Sequence, residues 1–259
     1  MNSLLRFNKN GLFIYQFSIF NSAPDIIHGI FTRHGGFSQG NYKSLNLSFS
    51  VGDDPQRVVK NREQVLKVLN LEHLLSLKQV HGKNSVIIDR ISNETGAMEP
   101  ECGVGDILMT RIPNQGLMIK QADCQSVLLY DPQNRSIANI HCGWRGNVEN
   151  VLGEAVIKMK THFGSNPQDL LAGIGPSLGP CCAQFLNYRR EFPREHWTYQ
   201  GRPYYFDLWR LSRDQLIAAG LAENRIEIAG LCTSCLTKDF FSYRKKRETG
   251  RFATVIALK

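Results

Sequence analysis

The sequence contains no uninterrupted apolar stretch near the ~18 residues of a membrane-spanning helix, so we expect no membrane segment. It also has no internal repeat, no low-complexity tract and no linker rich in proline or serine, which argues against solenoid and multi-module architectures. Gln16 and Ser18 interrupt the apolar segment that follows Arg6 and Lys9, and its alternation predicts a strand rather than a cleaved signal peptide. We therefore expect one cytoplasmic domain over residues 1–259.

Cysteine is scarce, and the seven cysteines are an odd number in a chain of 259 residues. A chain of this length buries a large core without disulfides, so reduced thiols are expected. The adjacent pair Cys181 and Cys182 and the Cys232-x-x-Cys235 motif offer four thiols for a structural zinc. The adjacent pair lacks the spacing of a zinc knuckle, however, and reduced, partly buried thiols are the preferred interpretation.

Acidic residues are in the minority, with 23 Asp and Glu against 31 Lys and Arg, for a formal charge of +8. This excess admits anionic partners but says little about the fold. The densest basic stretch, residues 242–251, is typical of a solvated hairpin turn. Since no nucleic-acid-binding module is recognisable, we expect no specific nucleic-acid partner.

Apolar periodicity predicts three helices. The first begins at Asp54-Pro55 and continues to about Leu75, the second runs from about Asn147 to His162 before Gly164, and the third covers about Leu208 to Ala219. Strand-like runs outnumber the helices and lie near 12–19, 84–89, 106–110, 117–120, 125–130, 136–141, 226–229 and 252–258. The pattern predicts one domain of mixed helices and strands, which is compatible with an α+β fold.

Two of these strands form a predicted hairpin around the turn signal at residues 131–135. If the turn centres between Pro132 and Gln133, Cys124 lies opposite His141. Opposed residues have Cβ atoms about 4.5–5.5 Å apart, close enough for one shared metal ion or a thiolate–imidazolium pair. A buried cysteine and a core histidine without a role remain the alternative.

The segment after His141 has glycines on both sides of Arg145 and precedes the second predicted helix. Backbone N–H groups at a helix start and a guanidinium fork are suited to anions, which predicts a phosphate or substrate anchor at Arg145.

Three short motifs occur along the chain: Lys78-Gln79-Val80-His81-Gly82, Ala122-Asp123-Cys124 and His141-Cys142-Gly143-Trp144-Arg145-Gly146. They resemble the three signature segments of the laccase-domain family, also called polyphenol-oxidase-like and described as purine nucleoside phosphorylases. Further segments sit where similar segments occur in that family: 31–36, 44–47, 61–62, 173–177, 241–244 and 249–251. The resemblance extends across most of the chain.

The resemblance implies a zinc ion held by His81, Cys124 and His141. Three ligands of this kind with a fourth position open are typical of catalytic zinc, and copper is possible because cysteine and histidine also suit copper. The seven histidines include no His-x-His pair, which argues against a multicopper oxidase.

The resemblance also implies the fold and the activities. The fold would be mixed β-sheets sandwiched between helices, similar to the catalytic domain of deamidating toxins. The activities would be phosphorolysis of adenosine, inosine and methylthioadenosine with inorganic phosphate, and deamination of adenosine to inosine. Oligomeric state is left open.

Four further residues are candidate substrate contacts: Arg33, Asn46, Gln79 and Arg244. Asp123, beside the cysteine ligand, is a candidate proton carrier, an orienting group or a strand-capping carboxylate.

Two other functions remain open. One is a metal-free hydrolase or deamidase in which Cys124 is the nucleophile and His141 the base, although His81 has no evident role in such a pair. The other is a non-catalytic protein that binds polyanions through its basic surface.

Overall fold

Two six-stranded mixed sheets dominate the fold of this computed structural model, which describes residues 4–90 and 101–259. The strands are β1 (Leu5–Lys9), β2 (Leu12–Gln16), β3 (Ile26–Phe31), β4 (His73–Ser76), β5 (Ser85–Ile88), β6 (Ile107–Thr110), β7 (Gln115–Gln121), β8 (Gln125–Asp131), β9 (Ser136–Cys142), β10 (Leu171–Ile174), β11 (Gln200–Arg202), β12 (Tyr205–Phe206), β13 (Ile226–Ile228) and β14 (Phe252–Leu258). The α-helices are α1 (Pro55–Leu69), α2 (Trp144–Val148), α3 (Val151–Phe163), α4 (Tyr188–Glu191) and α5 (Leu208–Ala218). Within the described ranges, every helix is too short or too polar to cross a membrane.

Both sheets combine antiparallel pairs at the centre with parallel pairs toward the edges. The first has the order β1-β2-β3-β14-β7-β4 and the second β13-β10-β8-β9-β6-β5, while β11 and β12 form a separate small ribbon. Antiparallel pairs make up the centre of each sheet, and parallel pairs occur only toward the edges, at β7/β4 in the first sheet and at β13/β10 and β6/β5 in the second. Both sheets are therefore mixed, as the family resemblance implies.

The sheets pack face to face around one apolar layer, to which the first contributes side chains such as Leu117 and Ile256 and the second Leu128 and Ile137. Helix α1 covers the outer face of the first sheet, and α3 and α5 cover the outer face of the second. The prediction of an α+β fold with mixed sheets between helices is confirmed. The similarity to deamidating toxins stays a prediction.

Two of the three predicted helices have different boundaries in the structure. The Asp54 carboxylate accepts a hydrogen bond from Gln56 N as predicted for a helix start, but α1 ends at Leu69 because Asn70 adopts a left-handed conformation, with φ 55°. The leucines that follow belong to β4. The helix predicted from about Asn147 corresponds to α3 and begins at Val151, because Asn150 also adopts a left-handed conformation and caps α3.

The predicted hairpin exists, but its register differs from the expected one. Ser126, not Cys124, is paired with His141, because the turn centres one residue later, between Gln133 and Asn134. The Asp131 carboxylate fixes this turn by accepting hydrogen bonds from the backbone N–H groups of both residues. Cys124 is thus two residues along the strand from the position opposite His141, which keeps it on the same face.

Six strands were not among the predicted ones: β1, β3, β4, β10, β11 and β12. Short apolar segments such as Leu171–Ile174 have no alternation by which to distinguish a strand from a buried helix turn. In β10, a Cβ on Gly173 would lie 2.6 Å from the Phe17 ring, so glycine permits the close packing of this strand.

Candidate functional site

Three potential metal ligands meet at one end of the second sheet. The ligand atoms of His81, Cys124 and His141 all lie within 4.8 Å of one another. Cys124 Sγ is 4.0 Å from His81 Nε2, and the two imidazole rings are 4.7 Å apart, centre to centre, and nearly perpendicular. The three side chains form a candidate metal site that is exposed at His81 and buried at His141.

Each ligand has a distinct structural support. His141 is the penultimate residue of β9, and Cys124 occupies the short connection between β7 and β8. His81 lies in the loop after β4 and has a φ of 63°. Residues other than glycine adopt this left-handed backbone conformation where contacts with the surroundings offset its strain.

Asp106 supplies that compensation. Its Oδ1 accepts a hydrogen bond from His81 N at 3.0 Å, and its Oδ2 accepts from Val80 N and Gly82 N at 3.2 and 2.8 Å. The same Oδ1 lies 2.7 Å from His141 Nδ1. One buried carboxylate therefore fixes the His81 loop and the His141 ring together, leaving His141 Nε2 for a metal ion.

The charges of these groups are strongly coupled. Burial opposes ionisation of the Cys124 thiol, but the imidazole groups of His141 and His81 outweigh it and lower its pKa to about 6. Burial likewise disfavours the charged form of His141, but the Cys124 thiolate and the Asp106 carboxylate raise its pKa to about 9. Burial of Asp106 is outweighed by its hydrogen bonds from His141, Gly82 and His81, which lower its pKa. A thiolate suited to a soft or borderline cation is the result.

The candidate metal site forms part of the lining of two cavities. The first cavity, of about 550 Å³, has three cations in its lining, Lys78, Lys120 and Arg251. Lys120 is buried and forms an ion pair of 3.0 Å with Glu101. The cavity also carries the hydroxyl groups of Ser48 and Ser50, so its lining is polar and predominantly cationic.

The second cavity, of about 520 Å³, has a different lining. It combines Trp144, Phe185 and Leu178 with the guanidinium groups of Arg145, Arg244 and Arg247. Four residues line both cavities: His81, Ala122, Cys124 and Tyr243. An anion in the first cavity and an aromatic ligand in the second would therefore meet at the candidate metal site.

Besides the three candidate ligands, four sequence-predicted residues line these cavities: Gln79, Asp123, Arg145 and Arg244. Gln79 lines the first cavity and pairs through both side-chain polar atoms with the backbone of Lys120. Arg145 is exposed in the second cavity, and its guanidinium group lies 4.4 Å from the Trp144 ring centre. The helix that carries Arg145, α2, is only five residues long. Arg244 lines the same cavity and donates hydrogen bonds to the carbonyl groups of Cys182 and Gln184.

Asp123 lines the second cavity, but its carboxylate is engaged by the protein. Oδ1 accepts a hydrogen bond from Thr233 Oγ at 2.7 Å and Oδ2 from Arg244 N at 2.6 Å. Both oxygens thus link the connection that carries Cys124 to residues 233 and 244.

Arg33 and Asn46 do not line either cavity. Arg33 donates its side-chain hydrogen bonds to the carbonyl groups of Lys43 and Thr237 and packs over Phe241. Asn46 is fully buried, and its amide bonds Ser48, Asp53 and Arg251 N, which uses all four of its hydrogen-bonding positions. Asn46 therefore acts on the first cavity by holding the backbone of Arg251.

Sequence reasoning missed Asp106, Lys120 and Arg251 as site residues. Asp106 had no signal beyond its place at the start of a strand. Lys120 was detectable as a charged residue in the buried strand β7.

Comparison with known proteins places these features in a family. Residues 27–259 match the family described as multi-copper polyphenol oxidoreductase laccase. A purine nucleoside phosphorylase from Bacteroides thetaiotaomicron is 31% identical over 246 residues, covering 87% of this chain and 88% of the relative. The purine nucleoside phosphorylase YfiH from Escherichia coli is 32% identical over 235 residues, covering 88% and 91% of the two chains. The crystal structure of YlmD from Geobacillus stearothermophilus is similar over the whole of both chains, with a TM-score of 0.89 and 29% identity.

Proposed function

We propose, from the premise that this chain belongs to the family described as multi-copper polyphenol oxidoreductase laccase, that it is a zinc-dependent purine nucleoside phosphorylase. Its substrates would be adenosine, inosine and methylthioadenosine with inorganic phosphate, and the products the free base and the ribose 1-phosphate. The observation that carries the proposal is the placement of His81, Cys124 and His141 between a cationic and an aromatic cavity.

The donor set supports zinc at this position. Two imidazole nitrogens and one thiolate are ligands that zinc prefers, and three protein ligands leave one position open. The hydrogen bond from His141 Nδ1 to the buried Asp106 is the usual support of a zinc-bound histidine. When bound here, zinc would supply Lewis acidity next to both cavities.

The first cavity supports a phosphate site. Lys78, Lys120 and Arg251 can donate charge-assisted hydrogen bonds to phosphate oxygens, and Ser48 and Ser50 can donate further ones. Glu101 neutralises only part of this positive charge. The cavity is therefore suited to a small polyanion rather than to a base.

The second cavity supports the nucleoside. Trp144 and Phe185 offer aromatic surface for a purine, and Arg145 lies at the same wall. In phosphorolysis a phosphate oxygen forms a bond to ribose C1′ while the bond from C1′ to the purine nitrogen breaks, and the departing base takes up a proton. The shared wall at Cys124 and Tyr243 is where C1′ would have to lie.

Adenosine deamination is proposed as a second activity of the same site, since it requires the same nucleoside cavity but no phosphate. A metal-free hydrolase with Cys124 as the nucleophile is the competing function, favoured by the lowered pKa of that thiol next to His141. It gives no role to His81.

One experiment separates these functions. The purified protein and its His81→Ala variant are incubated with adenosine or inosine, with and without phosphate, and products and bound zinc are quantified. His162→Ala, which removes an exposed imidazole at the end of α3, is the control. We expect free base and ribose 1-phosphate only with phosphate and inosine from adenosine in either case. His81→Ala alone should lose both activities and the zinc ion held by His81, Cys124 and His141.

Two outcomes contradict the proposal. A wild-type protein that contains no zinc and turns over no purine nucleoside excludes it. Full activity in His81→Ala would show that the imidazole has no part in the reaction and would favour the Cys124 and His141 pair.

A further inference from the structure

A second group of potential metal ligands lies outside the site described above. It consists of Cys181, Cys182, Cys232 and Cys235, whose sulfur atoms all lie within 4.8 Å of one another; we call it the cysteine cluster. Cys235 Sγ is 3.6 Å from Cys181 Sγ and 3.5 Å from Cys182 Sγ. The adjacent cysteines lack zinc-knuckle spacing in the sequence, but the fold brings them to the Cys232-x-x-Cys235 motif.

These distances fit one particular type of site. Four sulfurs at about 2.3 Å from a central zinc form a tetrahedron whose edges are about 3.8 Å. A disulfide would instead require two sulfurs at about 2.05 Å. Four thiols gathered at this spacing in one place are the ligand set of a closed, structural zinc site.

The surroundings of the cysteine cluster include compensating positive charge. Cys232 is buried. Two guanidinium groups lie at the other half of the cluster, where Arg202 donates to the carbonyl of Cys181 and Arg244 to that of Cys182. Zinc binding by four thiols releases four protons and leaves a net charge of −2, which these cations would stabilise.

The location gives the cluster a structural task. It joins two irregular segments, the one after β10 and the long connection from β13 to β14, which spans residues 229–251. Segments of this length without regular structure are uncommon in compact domains unless something anchors them. The two segments also meet at a β-bridge between Ser177 and Cys232, where Ser177 N donates to the Leu231 carbonyl and Thr233 N to the Ser177 carbonyl.

The same two segments hold Asp123. Leu178 N donates to the Asp123 carbonyl, and Thr233 and Arg244 N bond its carboxylate. A metal ion in the cysteine cluster would therefore fix the frame of the second cavity, one residue from Cys124, without contacting the substrate.

We propose that Cys181, Cys182, Cys232 and Cys235 bind a structural zinc ion that clamps residues 177–184 to residues 231–236. This proposal does not depend on the nucleoside activity, because it concerns a different set of ligands. It predicts two zinc ions per chain, of which one belongs to the cysteine cluster.

The test is zinc stoichiometry of protein purified under reducing conditions without chelators. We expect two zinc ions in the wild type, one in Cys232→Ser/Cys235→Ser, one in His81→Ala, and two in Cys102→Ser, which removes a thiol elsewhere. Thermal unfolding with and without a strong chelator should show a larger loss of stability in the wild type than in the double variant.

A second measurement covers the case in which the double variant does not fold. Anomalous diffraction from wild-type crystals at the zinc absorption edge should show a peak between the four sulfurs, separate from any peak at His81. Alkylation of the denatured protein should modify all seven cysteines. A wild type with no anomalous peak at the cluster, or with fewer than seven alkylated cysteines because some form disulfides, would overturn the proposal.

Discussion

Asp106 and His141 form the closest polar contact of the candidate metal site, with 2.7 Å between the carboxylate Oδ1 and the ring Nδ1. Asp106 is fully buried and binds three consecutive backbone N–H groups of the His81 loop as well. The geometry of two metal ligands from distant parts of the chain thus depends on one carboxylate that touches neither cavity.

Replacing this carboxylate should weaken zinc binding more strongly than it destabilises the fold. In Asp106→Asn one oxygen becomes an NH2 group, which cannot accept a hydrogen bond from a backbone N–H or from His141 Nδ1. We expect zinc affinity to fall about 10–100-fold, as for other groups that orient a zinc-bound histidine. Competition with a chromophoric chelator measures this, with the half-exposed Asp25→Asn as control. Unchanged zinc affinity would show that Asp106 does not orient the ligands.

The sequence contains the ligands of this site but not their support. His81, Cys124 and His141 could be named because they recur in recognisable motifs, and the hairpin of β8 and β9 explains why two of them are close. Asp106 could not be named, because its partners are backbone N–H groups in a loop about 25 residues away, and no sequence pattern encodes such a contact. The same holds for Lys120 and Arg251, whose cavity is formed only when the two sheets pack.

The errors in the fold prediction have local causes. Asn70 and Asn150 each adopt a left-handed conformation. Asn70 therefore ends α1 earlier than predicted, and Asn150 makes α3 begin later than predicted. Asparagine is tolerated in that conformation, but it also occurs within helices, so the apolar pattern alone placed both boundaries wrongly. The order of the layers was expected only from the family resemblance, because alternation and helical spacing report which faces are buried but not which elements pack together.

Gly143 leaves space for the metal ligands, and alanine there should disturb them. A Cβ at this position would lie 3.1 Å from Cys124 Sγ and 3.2 Å from His81 Cδ2, while φ of −80° carries no backbone strain. We expect Gly143→Ala to fold normally but to bind zinc more weakly, because both ligands must move by a few tenths of an ångström. Gly201→Ala is the matched control, since a Cβ there meets nothing within 4 Å. Equal zinc affinity in the two variants would contradict this account.

The first cavity makes a prediction about phosphate. Lys120 is buried at its wall, so Lys120→Met removes a charged donor while keeping much of the apolar stem. Loss of a charge-assisted hydrogen bond of about 1.5–3 kcal/mol corresponds to a rise of about 10–100-fold in KM for phosphate. Steady-state phosphorolysis at saturating nucleoside measures this, with Lys158→Met on the surface of α3 as control. A changed KM for the nucleoside alone would exchange the assignments of the two cavities.

The second cavity makes the complementary prediction. Arg145→Gln should raise KM for the nucleoside by up to about tenfold and leave KM for phosphate unchanged, because Arg145 lies beside Trp144 and away from Lys120. The measurement is the same kinetic assay with each substrate varied in turn. A selective rise in KM for phosphate would identify Arg145 as the phosphate anchor instead.

His28 makes a prediction about stability that is independent of the active site. Its ring is buried in β3 and Nε2 accepts a hydrogen bond from Phe17 N at 2.8 Å. Burial lowers the pKa of His28 to about 4. Between pH 6.5 and 4 the unfolded chain therefore binds a proton at His28 that the folded chain does not, so stability is full above pH 6.5 and falls as the pH decreases.

The whole effect amounts to about 3 kcal/mol, since one pKa unit corresponds to about 1.4 kcal/mol. In His28→Gln the amide oxygen can still accept from Phe17 N but does not titrate. We expect the wild type to lose about 3 kcal/mol relative to this variant between pH 7 and pH 4, measured by urea unfolding at each pH. Parallel stability curves for the two proteins across this range would show that the His28 ring is protonated in the folded state, and the proposed burial of a neutral imidazole would be wrong.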